Sequence, residues 1–167
     1  MSTTQENLMT AFAGESQANR KYLAFAKKAE AEGKPGLAKL FRAAAEGETV
    51  HALNYLLIGG KIGSSLENVQ GAIQGETYEI NEMYPGFVEQ ANTENNAGAA
   101  MKMGSALKVE QVHQQLFKAA EVALATEGDI ELKEYFVCGV CGYPAEGEAP
   151  EKCPICGAPR EKFTRLV

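Results

Sequence analysis

The chain has 167 residues, 45% of them hydrophobic, no tryptophan and a formal net charge of −6. That length suits one ordinary domain, or a medium domain with a small appendage. The acidic balance argues against a nucleic-acid partner, which demands a basic face. No apolar run approaches the roughly 20 residues needed to cross a bilayer, so no membrane association is expected. The opening "MSTTQENLMTAFAGES" lacks a basic segment followed by an apolar stretch and a small-residue cleavage site, and the expected location is the cytoplasm.

In chain order, "NLMTAFAGESQANRKYLAFAKKAEAEG" carries apolar residues at three- and four-residue spacing and stops at Gly33, with "KPG" as the turn. "LAKLFRAAAEGETVHALNYLLIGG" predicts a second amphipathic helix, ending near Ile58 before a glycine pair. A third helix is expected from about Leu66 through "GETYEINEMY", with Pro85 kinking or breaking it. A fourth is expected from about Glu94 to Thr126. Four long helices with short connections predict an all-α four-helix bundle. The polar stretch "EGDIELKE" at 127–134 reads as a linker. The composition then turns to Gly, Pro, Cys and aromatic residues, which predicts a second, small, mostly β and loop domain over 135–167 after a bundle domain over 1–134. From Tyr135 on, four basic and four acidic residues cancel, so the excess negative charge lies in the helices.

The chain has two histidines, and each follows a glutamate by three: Glu48 with His51, and Glu110 with His113. Glu76 and Glu79 share the spacing. Residues three apart on a helix face nearly the same way, so each pair presents two ligands in one direction. Glu15 interrupts a run of small neighbours, Ala11, Ala13, Gly14 and Ala18, that would let helices pack closely around it. A single Glu-x-x-His is more often a solvated surface pair. A bundle core, however, needs a strong reason to hold carboxylates, since an unpaired buried charge is costly. Two metal ions supply that reason: a Glu from each of two helices with Glu-x-x-His from two others is the ferritin-like dimetal pattern, and the third helix here adds one more glutamate. Imidazole with carboxylate suits iron or manganese better than calcium or magnesium.

The cysteines form two tight pairs, Cys138 with Cys141 and Cys153 with Cys156, in "VCGVCGYPAEGEAPEKCPICGAP". In a cytosolic chain this spacing reads as a four-thiolate metal site rather than disulfides, and it suits zinc or a single iron. A structural zinc ribbon is the commoner reading of the isolated motif. Fusion to a site that needs electrons favours iron, a one-electron carrier. Tyr135, Phe136, Tyr143 and Phe163 are candidates for its small core.

Together, "AGES" with Glu15, "EGETVH" with Glu48 and His51, "GETYEINEMYP" with Glu76 and Glu79, "VEQVH" with Glu110 and His113, and the four cysteines resemble the rubrerythrin family over essentially the whole chain. The resemblance implies a ferritin-like di-iron bundle followed by a rubredoxin-like domain, with two irons in the bundle and one iron on the cysteines, or zinc there on heterologous expression. It further implies a peroxidase that reduces hydrogen peroxide to water in oxidative-stress defence, with the cysteine-bound iron as electron source. Ligand exchange between Glu79 and His51 on oxidation and reduction falls to those residues by position. Similarity also suggests Tyr22 and Tyr84 as hydroxyls bonded to ligating carboxylates; plain core tyrosines are the competing reading.

No Gly-rich nucleotide loop is present, so electrons from NAD(P)H would arrive through a separate protein, a rubredoxin or an NAD(P)H-dependent reductase. Iron storage of the ferritin kind and a zinc-stabilised scaffold are the competing functions. The connector sets a last expectation. The arms from Glu48 and Glu76 to their helix ends together span about 30 Å. A seven-residue connector reaches only about 24 Å. Closing a parallel pair within one chain is therefore strained, and a homodimer with exchanged helix pairs is expected.

Overall fold

A computed structural model describes residues 2–166. Two compact units divide it, Met1–Gly63 and Ser64–Val167. In the first, α1 (Thr4–Ala31) packs along α2 (Pro35–Ile58). Thr3 starts α1 through a capping box with Glu6, its hydroxyl accepting from the Glu6 N–H while the Glu6 carboxylate accepts from the Thr3 N–H. Pro35 opens α2, where its missing N–H costs nothing. The seam is made of small side chains, with Ala26, Ala29, Ala38, Ala45 and Ala52 all buried.

The second unit holds α3 (Ser65–Tyr78), a π turn (Glu79–Met83), α4 (Tyr84–Thr93) and α5 (Ala97–Thr126), then a three-stranded sheet. Both α3 and α4 pack along α5. Ser64 and Glu67 cap α3 as Thr3 and Glu6 cap α1, and the Asn96 side chain caps α5 by accepting from the Ala99 N–H. Of the kink or break expected at Pro85, the break does not occur: helical structure continues to Thr93. Proline offers no N–H to the carbonyl four residues back, and one wide turn absorbs the mismatch, with the Tyr84 N–H bonding the Glu79 carbonyl five residues earlier. The last helix starts at Ala97 rather than Glu94, because Asn95 takes a positive φ of 56° and ends α4.

Strands β1 (Tyr135–Cys138), β2 (Pro144–Glu146) and β3 (Phe163–Arg165) form an antiparallel sheet in the order β2-β1-β3. Its small core is Cys138, Cys153 and Ala158, backed by Tyr143, Ile155 and Phe163, with Tyr143 and Phe163 meeting edge to face. The helices bury only small side chains. Among the described residues, their buried members are alanines and Val109, and the only large side chain wholly buried anywhere is that of Cys138. No helix of the described residues is long and apolar enough to cross a membrane.

Candidate metal centres

Three groups of ligand atoms converge among the described residues, each within 4.8 Å internally. In the first unit, Glu15 of α1 meets Glu48 and His51 of α2. His51 Nδ1 lies 3.0 Å from Glu48 Oε2, one helical turn away. The Glu15 carboxyl is raised above its ordinary range by a hydrogen bond with Glu48, then by burial and the Glu48 charge, while His51 opposes these.

The second unit repeats the theme with Glu76 of α3 and Glu110 and His113 of α5. His113 Nδ1 stands 2.7 Å from Glu110 Oε2 and 3.6 Å from Glu76 Oε1. Glu76 Oε2 is buried with no hydrogen-bond partner, a costly state for a carboxylate. Burial first, then the Glu110 charge, push this carboxyl up to about 7. Burial and the Glu110 charge also raise Glu79, which starts the π turn at the edge of the group. An orphaned, buried carboxylate oxygen among like charges fits a cation at the Glu76 triad, and the Glu15 triad offers the same kinds of donor, two carboxylates and an imidazole.

Tyr84 stands within the field of these carboxylates. Burial, then Glu110, Glu79 and Glu76, raise its hydroxyl above the ordinary range, so it stays protonated. Tyr22 packs between Phe25 and Phe41, and its hydroxyl makes no hydrogen bond with a carboxylate among the described residues.

Two polar clamps beside the ligands escaped the sequence reading. Asn19 Nδ2 donates to Thr49 Oγ1 at 2.8 Å and to the Ala45 carbonyl at 2.7 Å, tying α1 to α2 next to Glu48. Gln114 Nε2 donates to Thr77 Oγ1 at 2.7 Å, tying α5 to α3 next to His113 and Glu76. The available signal was adjacency: each threonine directly follows a ligand glutamate.

The third group joins all four cysteines, Cys138, Cys141, Cys153 and Cys156, none of them in a disulfide. Two matching turns present them. The Cys138 N–H bonds the Tyr143 carbonyl, and the Cys153 N–H bonds the Ala158 carbonyl. Gly142 and Gly157 close the turns at φ of +89° and +73°, a conformation other residues reach only with strain. Sulfur separations of 3.5 Å for Cys141–Cys153 and 3.7 Å for Cys138–Cys156 sit close to the edge of a tetrahedron around one ion. That edge is about 3.8 Å for a metal–sulfur bond of about 2.3 Å. Burial works against ionising Cys138, but the Val140 and Cys141 N–H groups aimed at its sulfur bring the thiol down to about 7. Burial raises Cys141 and Cys156.

A carboxylate–histidine set on helices joined to a paired-turn tetrathiolate defines a class: a ferritin-like di-iron domain with a rubredoxin-like iron lobe. The Rubrerythrin family model matches residues 6–121, and that of the rubrerythrin rubredoxin-like domain matches residues 136–164. Rubrerythrin-2 of Clostridium acetobutylicum is 34% identical, covering 96% of this chain and 95% of its own. Nigerythrin of Nitratidesulfovibrio vulgaris is 37% identical over 97% of this chain and 86% of its own. A structure of nigerythrin in a partially reduced state superposes with a TM-score of 0.58 at 33% identity, covering 99% of this chain and 88% of that one. The chain belongs to the rubrerythrin family.

Proposed function

We propose that this chain is a cytoplasmic peroxidase that protects against oxidative stress. It takes hydrogen peroxide, two electrons and two protons to two waters. One observation carries the reading: a single chain holds both a helical carboxylate–histidine set, whose iron would react with peroxide, and a four-thiol site, whose iron would store one electron at a time. The bundle and linker, 1–134, would host the reaction, and 135–167 the carrier.

Glu15, Glu48, His51, Glu76, Glu79, Glu110 and His113 would hold two irons, and Cys138, Cys141, Cys153 and Cys156 a third. Zinc would take the cysteine site when iron is scarce during expression. Bound iron supplies the electrons and the Lewis acidity that open the O–O bond. Glu79 offers the charged oxygen preferred by a ferric ion and His51 the neutral imidazole tolerated by a ferrous one, so the two residues would alternate with oxidation state. The Tyr84 hydroxyl, kept protonated, would hydrogen-bond a ligating carboxylate. Tyr22 would do the same once its unit meets the other half of the bundle. Electrons would come from a rubredoxin or an NAD(P)H-dependent reductase.

The working form in this reading is a homodimer with exchanged helix pairs. Each compact unit carries half a ligand set. Glu48 to Ile58 and Ser65 to Glu76 together run about 30 Å along their helices. Residues 59–64 span about 24 Å at full stretch, too little to bring Glu76 level with Glu48 on a parallel neighbour. Leu40, Val50, Leu53, Leu57 and Ile58 of α2 are exposed, Ile58 by 71%, beside the alanines that meet α1. A helix apolar around so much of its circumference belongs in the middle of an assembly.

The test is anaerobic. Iron-loaded, reduced protein receives stoichiometric peroxide while the visible absorption of the cysteine-bound iron is followed. Recolouring that disappears in Cys156→Ser and in Glu79→Ala supports the reading. A cysteine site left colourless, while the bundle still oxidises ferrous iron with oxygen, replaces it with iron storage.

A further inference from the structure

Charge is distributed unevenly along the first unit. From Arg20 to Arg42 the chain carries seven basic residues and only two acidic ones, Glu30 and Glu32, although the whole chain stands at −6. The basic run covers the end of α1, the turn after it and the start of α2. Three of these cations converge. Arg20 and Lys27 of α1 and Arg42 of α2 line a cleft of about 310 Å³, together with Leu23 and Ala24 and with no carboxylate.

Arg42 is the one member of the three with a carboxylate partner among the described residues: its guanidinium meets Glu30 at 2.7 Å, and Glu30 stands outside the cleft. A single contact of this kind leaves further N–H groups of the guanidinium fork for a ligand and orders the side chain in advance. Arg20 and Lys27 are exposed, and their charges are answered only by water.

Helix geometry keeps the cleft clear of the metal ligands. At about 100° per residue, Arg20 and Lys27 lie about 140° and 120° round α1 from Glu15. Arg42 lies about 120° round α2 from Glu48. Helices that completed the carboxylate–histidine site would cover other faces and leave this groove open.

The cleft also selects its occupant. Its volume falls at the small end of the roughly 300–1,000 Å³ found for small-molecule pockets, and a flat protein face would not enter it. Two guanidinium forks and an ammonium outweigh one leucine and one alanine, so recognition is ionic. Phosphate groups suit such a set, because each offers several acceptor oxygens in a compact volume and guanidinium holds them through paired N–H bonds.

We propose that the groove between α1 and α2 is a binding site for a small phosphate-bearing polyanion, clasped by Arg20, Lys27 and Arg42. The site requires neither the metals nor the peroxide-reducing reading.

Titration calorimetry of the iron-loaded full chain with inorganic tripolyphosphate, in about 0.15 M salt, tests this. One saturable site per chain is expected. Arg20→Gln and Lys27→Gln should each weaken it about tenfold, the worth of one charge-assisted contact. Lys21→Gln removes the same charge from the opposite flank of α1, about 240° from Glu15, and should leave the affinity within about twofold. Phosphate taken by the metals is common to all variants, so the difference between them isolates the cleft. Equal losses in all three variants would reduce the effect to the general field of the basic run and overturn the site. Absence of saturable binding by the unaltered chain would overturn it too, and citrate binding more tightly than tripolyphosphate would overturn the phosphate assignment. Magnesium-free adenosine triphosphate separates the sources: tighter binding than tripolyphosphate marks a nucleotide site, and equal or weaker binding marks one that reads the phosphate chain alone.

Discussion

Gln114 donates its side-chain N–H to the Thr77 hydroxyl at 2.7 Å, across the seam between α5 and α3. Thr77 in turn donates to the Ile73 carbonyl at 2.6 Å, so the hydroxyl is held from both sides. Since Gln114 follows His113 and Thr77 follows Glu76, this bond sets the height of one ligand helix against the other. Thr77→Val should cost about 1 kcal/mol of stability and weaken iron binding at the carboxylate site, with Thr77→Ser restoring both. Chemical denaturation and competition against an iron chelator measure the two effects; a valine variant that binds iron like the parent would refute the clamp.

Tyr84 makes a second, independent prediction. Its hydroxyl lies in the field of Glu110, Glu79 and Glu76 while its ring meets Phe87 edge to face. Tyr84→Phe keeps the ring and removes the hydroxyl proposed to hydrogen-bond a ligating carboxylate. Losing a partner just outside the ligands typically costs about 10–100-fold in metal affinity or activity, and peroxide turnover should fall accordingly. Equal turnover in the phenylalanine variant would leave Tyr84 as a packing residue only.

The metal-free protein should prefer acid. Glu76 titrates at about 7 in the fold against an ordinary 4.5, and Glu79 and Glu15 move the same way. A raised carboxyl means the folded state holds a proton that the unfolded chain has released. The contribution is therefore complete below 4.5, declines as pH rises, and is gone above about 7. Thermal melts of metal-free protein should show lower stability at about pH 8 than at about pH 5, and iron should abolish the difference by taking the proton's place. Stability that rises over this interval without metal would contradict the assignment.

Lengthening the connector tests helix exchange. Inserting a flexible Gly/Ser segment between Gly60 and Lys61 supplies the missing reach at a small entropic cost. The chain can then close its own bundle, and sedimentation should show monomer rising at the expense of dimer while iron loading persists. A dimer that ignores the insertion would mean that exchange is not imposed by connector length.

Local chemistry made much of this legible before any coordinates. Glu-x-x-His on a helix must put both groups on one face, and the Glu48–His51 and Glu110–His113 contacts follow from that spacing alone. Cysteine pairs followed by glycine likewise imply the positive-φ turns at Gly142 and Gly157. The continuation of the helix past Pro85 was not legible, because a π turn depends on whether neighbouring packing rewards a continuous helix over a broken one. The amide–threonine clamps were hidden for a related reason: Asn19 and Gln114 look like ordinary surface residues until the opposite helix is placed.

The alanine-lined seams have a consequence for the cell that makes this chain. Helices whose only sizeable buried side chain is Val109 cannot draw much stability from their own unit. If completion of the reactive site awaits a second copy, its abundance at low expression rises with the square of chain concentration. Halving synthesis would then remove about three quarters of the assembled sites. Induction under stress would be amplified by the same relation, giving a steep response with no dedicated regulator.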